Sequence, residues 1–248
     1  MSLIKTKQQI DTMADGGVIL ASILDDLKNA SQPGVSTAEL NALAESLCQK
    51  YHVQPAFKGF NGYPATLCAS VNDVIVHGIP NTAPLSNGDV VGLDMGIKYH
   101  GLYLDSAITV PVGKVSADIM QLLRVTENSL SLAIKSIRDG LRLGDLGHII
   151  SSEAIKYGYG VIYDLSGHGI GKNLQEDPSI FNHGQPGTGM MLKTGMTIAV
   201  EPMFSLGSPE TVIDKDDWTI RMKDGSIGAH YEHTLVVEKY GCRILTRK

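Results

Sequence analysis

Cysteine is scarce in this chain: Cys48, Cys68 and Cys242 are the only three in 248 residues. They are odd in number, far apart and form no CxxC pair, which argues against a disulfide framework or structural zinc and fits a reducing compartment. No apolar run approaches the ~18 residues of a membrane span. The opening Met1-Ser-Leu-Ile-Lys-Thr6 shows no basic stretch leading into an apolar one, so a cytoplasmic protein without a secretory signal is expected. Positive charge is also in short supply. With 21 Lys and Arg against 26 Asp and Glu, the formal net charge is −5. That balance speaks against a nucleic-acid substrate, because phosphate binding draws on clustered cations. Disorder is excluded, since 43% of the residues are hydrophobic and 19% charged. What remains is an ordinary globular composition, long enough for one large core or two small ones. Into it are set 8 histidines and 26 acids.

The order of patterns along the chain is helices, strands, helices, strands. Thr6 to Gln9 reads as a capping box ahead of Ile10, Met13, Ala14, Gly17, Ala21 and Leu24 on one helical face. Pro33 and Gly34 break that run, and a second box at Ser36 to Glu39 opens a helix burying Leu40, Leu43, Ala44, Leu47 and Tyr51. Val74 to Val76, Val90 to Leu93 and Tyr103 to Val110 then read as strands, the last two as a hairpin. Ser116 caps the next helix, which Gly140 ends, and another amphipathic face runs from Leu143 to Tyr157 before Gly158. Strand-like runs follow at Gly160 to Leu165, Thr197 to Val200 and Ala229 to Val237. This predicts a single α+β domain over 1–248, in two related halves of roughly 1–113 and 114–248.

Acids placed inside strands are the most informative feature. In Leu93-Asp-Met-Gly-Ile-Lys-Tyr-His-Gly-Leu-Tyr-Leu-Asp105, a turn at Tyr99-His100 puts Asp94 directly opposite Asp105. A turn at His100-Gly101 makes them diagonal neighbours on one face, and a three-residue loop separates the faces. Like charges across a sheet destabilise it, and buried carboxylates need a neutralising partner, which a metal ion would supply. Glu201 ends the run Thr197-Ile-Ala-Val-Glu-Pro202, where the proline stops the ladder. Alternation from Gly228 to Val237 puts His230, Glu232, Thr234 and Val236 on one face. A solvated sheet face accounts for any one of these acids but poorly for all four. His168 lies in a glycine-rich loop, Ser166-Gly-His-Gly-Ile-Gly-Lys-Asn173. A phosphate-loop reading fails because Ser166 stands where glycine is required and Asn173 where Ser or Thr is required. Asp94, Asp105, His168, Glu201 and Glu232 together offer four carboxylates and one imidazole, a charge match for two divalent ions. Oxygen-rich ligation with one nitrogen suits Mn, Fe, Co or Zn.

On these residues the chain resembles the bacterial type I methionine aminopeptidases of the pita-bread metallopeptidase family. The matching segments are Tyr63-Pro-Ala-Thr-Leu-Cys68, Val71-Asn-Asp-Val-Ile-Val-His-Gly-Ile-Pro80, the Asp94 to Asp105 hairpin, Gly167-His-Gly-Ile-Gly171, Ala199-Val-Glu-Pro202 and Tyr231-Glu-His-Thr234. The resemblance implies a pita-bread fold with two pseudo-symmetric αβ halves holding a dinuclear metal site. It implies that Asp94 chelates one metal, that His168 and Glu201 bind the other, and that Asp105 and Glu232 bridge. A metal-bridged hydroxide would attack the carbonyl of an N-terminal Met, with Glu201 shuttling the proton and His77 near the scissile amide. Phe60, Tyr63, Cys68, Leu174 and Trp218 would line the pocket for the Met side chain. Substrates would be nascent proteins with a small second residue, a rule that Met1-Ser2 itself satisfies. The expected protein is a monomer without membrane attachment, with room for transient ribosome contact. Two divalent ions would raise the formal −5 by four, so part of the acidity would be the site itself.

Two positions depart from the family pattern. The family's second histidine, seven residues after the metal-binding one, is Gln175 here. The glutamine expected two residues before the bridging glutamate is His230. One reading is a swap in which His230 reaches the site in place of the missing imidazole, while Gln175 donates an amide hydrogen bond without transferring a proton. Two alternatives follow: an Xaa-Pro-type aminopeptidase sharing all five ligands, and a metal-free or weakened pita-bread binding protein, which Gln175 keeps open.

Overall fold

The computed structural model describes residues 3–248, so the Met1-Ser2 start lies outside the described residues. Four helices form: α1 (Lys7–Ala30), α2 (Thr37–Lys50), α3 (Ala117–Ser136) and α4 (Leu143–Tyr157). Both capping boxes close. Thr6 Oγ1 accepts from Gln9 N–H at 3.3 Å while Gln9 Oε1 accepts from Thr6 N–H at 2.9 Å. Ser36 and Glu39 do the same at 3.3 and 2.8 Å, so each box satisfies two otherwise orphaned donors. Ser116 caps α3 through Ile119 N–H at 3.3 Å, and α4 ends on Gly158 at φ 76°. Tyr157, read as part of the α4 apolar face, is exposed at the end of that helix. Among the described residues, no helix is long and apolar enough to cross a membrane.

Nine strands make one antiparallel sheet: β1 (Gln54–Pro55), β2 (Cys68–Val71), β4 (Val90–Tyr99), β5 (Leu102–Pro111), β7 (Ser166–Gly169), β8 (Glu176–Phe181), β9 (Thr197–Val200), β14 (Glu232–Glu238) and β15 (Gly241–Ile244). Its order is β1-β4-β5-β14-β9-β7-β8, with β2 on β4 and β15 on β14. Two small sheets complete the fold. One joins β6 (Gly160–Val161), β10 (Met203–Ser205) and β13 (Gly228–His230); the other joins β3 (Val74–Val76), β11 (Thr211–Ile213) and β12 (Ile220–Met222). The long run expected from Gly160 to Leu165 is therefore only a two-residue strand, because Tyr163 turns outward to solvent.

Helices back onto one face of the curled sheet. Leu93, Met95, Ile97 and Leu104 share a core with α1 and α2, while Ile198, Val200, Leu235 and Val237 share one with α3 and α4. Because side chains alternate, the residues between them, Asp94, Asp105, Ala199 and Thr234, face the other way. The β4–β5 hairpin turns on His100-Gly101 with φ 46° and 84°, the positive pair of a type I′ turn. Of the registers considered, the diagonal one forms: Asp94 stands opposite Ala107 and Asp105 opposite Gly96. The fold is α+β, a curled antiparallel sheet backed by helix pairs. Its helix-free face is where the acids gather.

Candidate metal centre and its pocket

Sheet register assembles the site. Cys68, Asp94, Ala107 and Glu232 form one row across β2, β4, β5 and β14. His168, Ala199 and Thr234 form another across β7, β9 and β14. Asp105 stands two residues before Ala107 on β5, so it shares the face of both rows. His168 is thus in a strand, correcting the loop expected from its glycines. Those glycines serve close packing of backbones: a Cβ at Gly167 would stand 2.3 Å from Ala199 O, and one at Gly169 only 2.1 Å from Asp177 O.

Hydroxyls take the place of backbone bonds where β5 meets β13 and β14. Asp105 N–H donates to Thr234 Oγ1 at 3.0 Å, and that hydroxyl donates to Asp105 O at 2.7 Å. Thr109 Oγ1 does the same with His230, accepting from its N–H at 2.9 Å and donating to its carbonyl at 2.8 Å. Ser106 Oγ donates to Glu232 O at 2.8 Å. A hydroxyl both donates and accepts, so it can keep a ladder satisfied where strands stand too far apart to bond directly. The Thr234 and Thr109 hydroxyls thus flank the short stretch where β5 and β14 pair directly, Ser106-Ala107 against Glu232-His233, and hold the backbones of Asp105 and His230 in place.

Donor atoms of Asp105, His168 and Glu232 lie within 4.8 Å of one another. His168 Nδ1 is 2.9 Å from Gly169 O, which can only accept; Nδ1 therefore carries the proton and Nε2 faces the site. That Nε2 is 3.8 Å from Glu201 Oε1, and His230 Nε2 is 3.4 Å from Glu201 Oε2. Among the described residues lining the cleft there is no Lys or Arg. Burial therefore raises the acids, and repulsion from neighbouring carboxylates adds to it for Asp94, Asp105 and Glu232: Asp105 stands at about 7, Asp94 and Glu232 well above the usual carboxylate range, while burial takes Glu201 to about 7 against the opposing pull of His168. Burial drives His77 and His230 down to about 4. Asp94 Oδ1, Asp105 Oδ1, Glu232 Oε1 and His230 Nε2 are buried without any hydrogen-bond partner. Unpartnered buried oxygens on groups that repel one another are what divalent cations would satisfy, and the donor set fits them.

Beside the acids opens a cleft of about 360 Å³. Phe60, Tyr63, Cys68, His77, Leu174, Gln175 and Trp218 line it together with Asp94, Asp105, His168, Glu201 and Glu232. His230 is not in that lining; it lies against Glu201. Tyr63 spends its hydroxyl on Gly78 O at 2.9 Å, leaving the ring to the cleft, and Trp218 packs edge-on against Tyr63 at 5.1 Å and His77 at 6.1 Å. His77 reaches that position with a left-handed backbone, φ 59°, which is unfavourable for a residue with a Cβ. Asp216 Oδ1 accepts from Trp218 N–H and Thr219 N–H at 2.9 and 2.8 Å. Leu174 and Gln175 sit on the β7–β8 connection, anchored by Glu176, whose Oε2 meets Lys5 Nζ at 2.7 Å and whose Oε1 accepts from Asn173 N–H at 2.9 Å.

Phe57, Asn61, Val76, Asp164, Leu165, Ser166 and Met203 also line the cleft. Sequence reasoning passed over them. Phe57 and Asn61 flank Phe60, and Met203 follows Glu201-Pro202, so adjacency to named residues was the available signal.

A curled antiparallel sheet with cation-seeking carboxylates and an imidazole beside an apolar cleft defines the pita-bread class of metal-dependent hydrolases. The chain belongs to metallopeptidase family M24, which it matches over residues 11–239. It is 40% identical to the methionine aminopeptidase of Clostridium acetobutylicum, over 99% of each chain. It is similar to the crystal structure of the Thermotoga maritima methionine aminopeptidase, with TM-score 0.97, 42% identity and 99% of each chain covered. The Pyrococcus furiosus prolidase shares the fold at TM-score 0.81 and 22% identity, covering 99% of this chain and 66% of that one.

Proposed function

We propose that the chain is a methionyl aminopeptidase, a dinuclear metal-dependent hydrolase that removes the initiator Met from nascent polypeptides with a small second residue. One observation carries the reading: buried carboxylate oxygens without partners converge at one end of a cleft lined by Phe60, Tyr63, Cys68 and Trp218. Full-length relatives at about 40% identity that are named methionine aminopeptidases support it. The Xaa-Pro alternative has only a likeness of fold behind it.

In this reading Asp94, Asp105, His168, Glu201 and Glu232 hold two divalent cations. Such ions, when bound, neutralise the carboxylates, acidify water and polarise the amide carbonyl. Phe60, Tyr63, Leu174 and Trp218 bind the Met side chain and exclude water around it, with Cys68 at the pocket floor. Gln175 offers an amide N–H to the substrate carbonyl, an interaction that cannot change charge with pH. His77 orients the scissile amide. Glu201 accepts and returns a proton at its carboxylate, a role its place beside His168 at the end of β9 supports. A polar groove lined by Ser166, His168, Asn173, Gln175 and Ser179 adjoins the cleft and gives the following residues of the polypeptide a path. The reading covers 1–248 as one catalytic domain of two halves, 1–113 and 114–248, working as a cytoplasmic monomer in transient contact with the ribosome.

The test is cleavage of Met-Ala-Ser against Ala-Pro and Met-Lys peptides, with Mn, Fe, Co and Zn each supplied anaerobically. Turnover confined to Met-Ala-Ser is expected. No turnover of that peptide with any metal sinks the reading.

A further inference from the structure

The sheet face that carries the acids continues past them to an exposed group of rings. Between β7 and β8 the register sets Ser179 opposite His168 and Phe181 opposite Ser166. Opposed residues share a face, so Phe181 points to the same side as His168, while its neighbour Ile180 turns into the core shared with α3 and α4. The strand order ends at β8, which leaves Phe181 on the rim of the sheet, 47% exposed. Tyr163 is exposed to the same extent, and His183 joins the two. Its imidazole stands edge-on to Tyr163 at 4.9 Å and tilted by 49° to Phe181 at 5.5 Å. The three rings adjoin the substrate path on two sides. Ser166, opposite Phe181, lines both the cleft and the polar groove, and Asp164 and Leu165, which follow Tyr163, line the cleft. Large rings left in water beside a cleft mark a contact surface.

We propose that Tyr163, Phe181 and His183 form a subsite for an aromatic side chain at the third or fourth residue of the polypeptide substrate. This rests on the aminopeptidase reading above and deepens it, adding a residue class to the rule of a small second residue. Reach sets the position. A strand rises about 3.3 Å per residue, so His168 to Ser166 spans about 7 Å, which an extended substrate covers in about two residues. With the scissile bond beside His168 and following residue one, residues three and four come level with the rings. An aromatic side chain suits them because it adds edge-to-face or offset contacts and covers apolar ring area that is now in water. The rival occupant is an arginine, which would stack on the rings and be drawn by Asp164, exposed at the cleft and without an ion-pair partner among the described residues.

The experiment measures kcat and KM of the full-length, metal-loaded protein on Met-Ala-Ser-Xaa and Met-Ala-Xaa-Ser, with Xaa as Ser, Leu, Arg, Phe or Tyr. It is run at about pH 8, where an ordinary imidazole is neutral. At one of the two positions Phe and Tyr are expected to lower KM by about three- to tenfold relative to Ser, with kcat changed less than about twofold and Leu and Arg falling short of both. Phe181→Ser and Tyr163→Ser each bring that KM ratio toward one, whereas Phe181→Tyr keeps it. Both rings are half-exposed, and thermal melting confirms that the variants fold. An absent preference, a preference equally strong for Arg, or one that survives both serine variants overturns the subsite. A wild-type dimer in sedimentation that Phe181→Ser abolishes assigns the rings to a second copy of the chain and also overturns it. No turnover of Met-Ala-Ser with any metal overturns the underlying aminopeptidase reading instead.

Discussion

Acids in this molecule are treated in two opposite ways, one outside the cleft and one within it. On the β7–β8 connection, Glu176 meets Lys5 from the other end of the chain at 2.7 Å, with side chains 7% and 2% exposed. Near the Trp218 loop, Arg221 binds Asp214 through two nitrogens and Asp73 at 2.9 Å through a third. In the centre, Asp94, Asp105, Glu201 and Glu232 are brought together with two histidines and no lysine or arginine. Where an acid serves structure, the chain supplies its own cation. Where acids are proposed to serve chemistry, the chain supplies no cation of its own among the described residues lining the cleft. Acidity thus divides into charge balanced on folding and charge reserved for a ligand.

The comparison breaks most sharply at the centre. Asp105→Asn keeps shape but removes a charge, so kcat/KM on Met-Ala-Ser falls by more than the ~10–100-fold typical of residues behind a metal ligand. The metal-free protein, relieved of one repelling carboxylate, melts higher than wild type. A loss of both activity and apo stability contradicts the contrast. Lys5→Met leaves Glu176 buried and uncompensated, and denaturant unfolding then shows about 3–5 kcal/mol lost. The anchor of Leu174 and Gln175 loosens with it, raising KM more than it lowers kcat. A variant as stable as wild type shows that the pair is no anchor.

The smallest effect is a pH dependence. The raised carboxylates bind protons in the folded state that the unfolded chain has released, so their contribution is present at low pH and lost as pH rises through about 7. Below pH 6.5 the depressed His77, His230 and His233 act in the other direction, their contribution disappearing as pH falls. Above pH 6.5 only the acids titrate. EDTA-stripped protein should therefore melt lower at pH 8.5 than at pH 6.5, by on the order of 1 kcal/mol per unit for each acid still titrating. Saturating divalent metal raises the melting point more at pH 8.5. A metal-free melting point that rises across this window refutes the assignment of buried, raised carboxylates.

Much of this was readable in one dimension because it depends on local rules. Capping boxes at Thr6 and Ser36 need only a hydroxyl and an amide or carboxylate three residues on. The β4–β5 hairpin follows from alternation on either side of Tyr99 to Gly101, which left the exact turn open. The acids stood out because glutamate and aspartate are rarely placed within apolar strands, and the alternation of Gly228 to Val237 put His230 and Glu232 on one face. The glycines around His168 misled for a physical reason: glycine marks flexible loops and close-packed strands alike, and only the approach of Ala199 and Asp177 tells them apart.

By itself, then, the sequence determined the four helices with their caps, the presence of the β4–β5 hairpin and the set of candidate site residues, since each follows from spacing along the chain. Tertiary structure alone decided the rest. It chose the diagonal register for Asp94 and Asp105, set Thr109 and Thr234 into the ladder, and sent Lys5 to Glu176 across 171 residues. It also turned His230 toward Glu201, at a distance no spacing rule contains. Such choices depend on which distant strands and loops meet, and that is settled by packing the whole core at once.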